Sequence, residues 1–131
     1  MGYLKKFKWY QDENEGWKQT IHLQANEIPK MNEILNSVIR DNELSPRERE
    51  TGEGHFIVQL VNIHLEMQQL DSEIGRQQER LQRISTMDKT EVMDDIDAFF
   101  TQDILRERIR NIEKSYLEMK CNFMSYLSTI L

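Results

Sequence analysis

The sequence predicts an all-α protein, an antiparallel three-helix bundle with coiled-coil-like heptad seams. In three separate stretches, apolar residues recur at alternating steps of three and four, a spacing that keeps one face of a helix turned towards its neighbours. Five glycines and two prolines in 131 residues leave few turns, so the elements must be long. Charged residues make up 31% of the chain and the mean hydropathy is -0.71, which suits narrow apolar seams between broad solvated faces. A chain of this length forms one domain, taken as residues 1–131.

The opening stretch, MGYLKKFKWY, interleaves lysines with aromatic residues. Residues 1–11 are therefore read as an N-terminal arm that packs Tyr3, Leu4, Phe7, Trp9 and Tyr10 on the bundle and leaves its lysines in water. Helix one, residues 12–40, rests on Ile21, Ala25, Ile28, Leu35 and Ile39, with Asn32 on the same row. Pro29 falls inside it. A proline removes a backbone hydrogen bond and disfavours helical geometry in the residue before it, so a kink is expected there. Because the apolar phase continues across Pro29, one helix is preferred to two. Trp17, Ile21 and Leu23 also fit the period of a strand, but a lone strand has no pairing partner.

Residues 41–54 form a connector. Ser45, Pro46 and Glu48 match a helix-capping signature, yet Gly52 and Gly54 each cost about 1 kcal/mol in a helix interior. Helix two is accordingly placed at 55–84, on the row Leu60, Ile63, Met67, Leu70, Ile74, Leu81 and Ile84, which only Gln77 interrupts. Helix three, 102–130, has the most regular row: Leu105, Ile109, Ile112, Tyr116, Met119, Phe123, Tyr126 and Ile130. Val92, Ile96, Phe99 and Phe100 are helically spaced but out of phase with Leu105. Residues 88–100 are thus a short extra helix, or a loop, between helices two and three.

Three segments carry apolar residues beyond one seam: Met31, Ile34 and Val38; Ile57, Val58, Val61 and Leu65; and Leu117, Cys121, Met124, Leu127 and Leu131. Antiparallel packing brings these segments to one broad apolar end, opposite a narrow end near 70–84 and 105–113. Either the arm covers the surplus or a second copy does, and a self-complementary patch is a common way to hide it. A homodimer is expected, with Ile57, Val61, Leu65, Leu117, Met124 and Leu131 as interface candidates. Asn32 and Gln77, polar on seam rows, are candidates for fixing register.

A formal net charge of -6 opposes non-specific attraction to nucleic acid. No stretch approaches the roughly 20 apolar residues of a membrane span, and a single cysteine suits a reducing, cytoplasmic setting. Asp88, Glu91, Asp94, Asp95, Asp97 and Asp103 stand near Arg76, Arg80, Arg83, Arg106, Arg108 and Arg110 in the predicted hairpin. Mutual neutralisation is the favoured reading. Otherwise Asp94, Asp95 and Asp97 are charged docking candidates.

His22, His55 and His64 have no carboxylate or histidine three or four residues away, so none starts a helical metal motif. Cys121, amid apolar rows, reads as a small buried residue. No catalytic residue, metal or cofactor is assigned. The expected role is non-enzymatic: an interaction, scaffold or adaptor module that binds a protein partner through helical surfaces. Two other classes share the pattern, a metal- or small-ligand-binding bundle and a chaperone-like protein holding a partner's amphipathic helix.

Overall fold

The computed structural model describes the backbone of residues 2–42, 46–86 and 92–130, and the side chains of 6–42, 54–86 and 96–130. These residues form three α-helices: α1 (Gly2–Asp41), α2 (Pro46–Thr86) and α3 (Val92–Ile130). At 1.5 Å per residue each is about 60 Å long. Cross-helix contacts fix their directions. In α1 and α2, Asn14 meets Gln78 and His22 meets Asp71, so partner numbers fall as α1 advances. In α1 and α3, Glu13 meets Arg106 and Glu27 meets Lys120, so they rise together. The fold is a three-helix bundle with α2 antiparallel to the other two.

The heptad seams run longer than the apolar rows alone suggest. In α1, Phe7, Asn14, Ile21, Ile28 and Leu35 are all buried at intervals of seven, with Tyr10 and Met31 on the companion row. In α2 the sequence Phe56, Leu60, Ile63, Met67, Leu70, Ile74, Gln77, Leu81 and Ile84 is buried without a gap. In α3 Ala98 and Gln102 extend the row that continues through Leu105, Ile109, Ile112, Tyr116, Met119 and Phe123. Burying each large apolar side chain contributes roughly 1.5–3 kcal/mol.

Three boundaries differ from the sequence reading. The N-terminal arm is helical from Gly2 and continuous with α1. It cannot fold back over the broad end; Phe7 and Tyr10 instead join Leu81, Ile84 and Ala98 in a second core cluster at the end taken as narrow. Phe99 completes that cluster, its ring 5.7 Å from Phe7 and 5.8 Å from Tyr10. α2 begins at Pro46, as the Ser45–Pro46 cap signature allows, and passes through Gly52 and Gly54. Residues 92–100 belong to α3, not to a separate helix or loop; residues 88–91 lie outside the described residues.

Two side chains change places. Met31 is buried and Asn32 exposed, because the α1 seam steps from Ile28 to Met31 rather than to Asn32. Cys121 is exposed, not buried, being two positions from the Met119 and Phe123 seam. Pro29 lies on an exposed face of α1 without ending it.

Candidate functional site

The core is two apolar clusters separated by a polar layer. The larger cluster ends at Ile21, Ile74 and Leu105, and the smaller begins at Tyr10, Leu81 and Ala98. Between them each helix contributes one buried amide: Asn14, Gln77 and Gln102. Gln102 donates to Asn14 Oδ1 at 2.8 Å and to Glu13 Oε1 at 2.9 Å. Its own Oε1 accepts from Asn14 at 3.3 Å and from Gln77 at 3.2 Å. Gln77 also donates to the Ala98 carbonyl at 3.0 Å, an oxygen that serves the α3 ladder with its other lone pair.

The layer continues outward on both sides of α1. Asn14 donates to Gln78, which donates to the Gln11 carbonyl. Glu13, held by Gln102, receives a two-pronged ion pair from Arg106 at 3.0 and 2.7 Å, and Asp103 takes a third guanidinium contact at 2.8 Å. The Glu13 hydrogen bonds raise the Arg106 pKa, so the guanidinium stays charged. Of the three amides, one atom is left over. Gln77 Oε1 is buried without a hydrogen-bond partner.

A second polar node ties α1 to α3 nearer the broad end. The buried ring of Tyr116 sends its hydroxyl to Glu27 Oε2, which also accepts from Lys120 at 3.0 Å. These two donors hold the Glu27 carboxyl below the usual carboxylate range. Burial first, then the hydrogen bond to Glu27, pushes the Tyr116 phenol well above the usual tyrosine range.

Two grooves flank this interior. One, of about 570 Å³ between α2 and α3, is lined by Arg76, Arg80, Arg83 and Arg108 together with Glu73, Gln77, Thr101 and Ile104. Arg108 pairs with Glu73, while Arg80 reaches Thr101 at 3.3 Å and Asp97 at 3.7 Å. The other, of about 320 Å³ between α1 and α2, is apolar, formed by Ile28, Pro29, Ile57, Leu60, Val61 and Leu65 with His64 at its edge.

The structure splits the association residues chosen from sequence. Ile57, Val61 and Leu65 share the α1–α2 groove; Val61 and Leu65 are over half exposed, while Ile57 packs partly on the core. Leu117 and Met124 are equally exposed but lie on α3, beside the Lys120 face that meets α1, so α1 separates them from the groove. Leu131 falls outside the described residues. So do the side chains of Asp94 and Asp95, while Asp97 is exposed and loosely paired with Arg80. The amide layer was only partly visible in sequence, as Gln77. Asn14 and Gln102 sit in heptad register with the apolar rows, and register is the signal that finds them.

No group of metal-ligand type gathers among the described residues, and no helix there is long and apolar enough to cross a membrane. Fold and interior define the class as an all-α three-helix bundle with a polar layer across its core. No protein family, curated protein or solved structure matches the chain.

Proposed function

We propose that this bundle is a non-enzymatic interaction module, working as a homodimer or scaffold in a reducing, cytoplasmic setting. The observation that carries the proposal is the α1–α2 groove. Val61 and Leu65, which line it, expose more than half of their surface, as does Val58 one turn before Val61, although a helix gains most by turning such residues to a core. A second copy that brings the same patch in two-fold relation covers both at once. The core amides support a structural role for the interior, since their hydrogen bonds run mainly to one another and to neighbouring helices.

Sedimentation equilibrium tests the proposal. The wild-type chain is expected to dimerise at micromolar concentration, and V61E combined with L65E to give a folded monomer, because both side chains already face water within the single bundle. A wild-type monomer across the micromolar to millimolar range refutes self-association through this groove.

A further inference from the structure

We propose that the α2–α3 groove receives an amphipathic helix of a partner protein, with a row of acidic side chains set against Arg76, Arg80 and Arg83. This surface is distinct from the apolar α1–α2 groove, and the inference goes beyond the self-association read there. The bundle's charged edges join opposite signs across an apolar seam: Glu13 with Arg106, Glu27 with Lys120 and, at one end of this groove, Glu73 with Arg108. Beyond Glu73, the α2 wall of this groove shows only one half of such an edge. Arg76, Arg80 and Arg83 follow at helical steps of four and three along about 10 Å of α2. Among the described residues, neither Arg76 nor Arg83 makes an ion pair.

Like charges at that spacing repel and destabilise the helix that carries them. A chain with formal net charge -6 nonetheless concentrates four arginines around this groove. The opposite wall adds Ile104, and Phe100 stands one turn before it on α3, both about 60% exposed. A basic row beside an apolar row complements a helix that carries an acidic row beside an apolar one. Helical spacing of the guanidiniums favours carboxylates displayed at the same spacing over a nucleotide or polyphosphate, and Ile104 and Phe100 offer a phosphate chain nothing. A second copy docked through this groove about a two-fold axis would set arginine against arginine.

The test uses the full chain and a labelled helix-forming peptide of roughly 20 residues. The peptide bears glutamates at three helically spaced positions beside a leucine row, and its twin carries glutamines instead. Fluorescence anisotropy is expected to show the glutamate peptide binding about tenfold more tightly at low salt, an advantage that fades as salt rises. R76E combined with R83E should abolish the preference and favour a lysine version, while I104E should weaken both peptides. If the reversed pair proves unfolded by circular dichroism, R76Q with R83Q removes the charge without reversing it and must also lose the preference. Equal binding of the two peptides, or no effect of the arginine variants, overturns the proposal. So does displacement of the peptide by equimolar inorganic tripolyphosphate, or self-association that the arginine variants abolish. Failure of these arms leaves the V61E and L65E test standing, so the two surfaces are judged separately.

Discussion

Replacing Gln102 by methionine removes the hub of the buried layer at nearly constant volume, and the structure sets the expected loss. Four hydrogen bonds disappear, but most of the partners keep another. Glu13 retains Arg106, Gln77 Nε2 retains the Ala98 carbonyl, and Asn14 Nδ2 retains Gln78. Asn14 Oδ1 alone loses its only bonded donor. One orphaned buried acceptor costs about 1–3 kcal/mol, partly offset by the added apolar contact, so a net loss of about 1–2 kcal/mol follows. Roughly 4 °C of melting temperature per kcal/mol is expected for a chain this size. Replacing the whole layer, as N14L with Q77M and Q102M, orphans few groups and turns the section into a continuous apolar core. Its stability should return to the wild-type value or exceed it, as happens when buried polar sets are exchanged together. The test is guanidinium unfolding followed by far-UV circular dichroism for the single variants and the triple variant, with the non-additivity as the reading. A triple variant that loses the sum of the single losses refutes the reasoning, because it means that the amides contribute stability beyond satisfying one another.

Other expectations follow from the same contacts. R106A breaks the half-buried pair with Glu13 and should lower unfolding free energy by about 1–2 kcal/mol, the upper range for buried pairs being discounted for partial exposure. L35A and I74A, both fully buried, should each lose about 2–5 kcal/mol, whereas the exposed L65A should stay within about 0.5 kcal/mol of wild type when measured as monomer. In an alkaline absorbance titration, Tyr116 and Tyr10 should ionise later than an ordinary tyrosine near pH 10. The raised Tyr116 value means that its contribution is complete below the unfolded phenol pKa and is lost as pH rises through the folded one. The Glu27 contribution has the opposite sign: it is present above the unfolded carboxyl pKa and is lost as pH falls through the lowered folded value. Y116F should move the Glu27 carboxyl upward, visible by carbon NMR.

Fold class was legible because Leu60 to Ile84 and Leu105 to Ile130 repeat with little interruption, and a seven-residue repeat of greasy side chains admits few other structures. What escaped had low hydrophobicity at seam positions. Ala98 is small and Gln102 polar, so hydrophobicity marks the α3 row only from Leu105 onward and leaves the upstream residues out of phase with it. Asn14 hid the link between Phe7, Tyr10 and Ile21 in the same way, which made the first helical turns look like a separate arm. The α2 start differs from its sequence signal for another reason. Gly52 and Gly54 argue against a helix interior by propensity, but α2 runs through them from its Pro46 start. Asn32 and Met31 show a phase error: with steps of three and four, adjacent residues compete for one slot, and packing against the other helices decides. The arginine groove was visible as a charge excess but not as a surface, because its walls come from separate helices.

Asn14, Gln77 and Gln102 meet in a single layer that links all three helices at one level. Isotope-edited NMR on the side-chain amides measures this directly. Cross-peaks are expected between the Asn14 and Gln102 amide protons, and between those of Gln77 and the α3 backbone beside Ala98, with slowed exchange against solvent. Fast-exchanging amides without such cross-peaks, or cross-peaks shifted by one heptad along α3, contradict it.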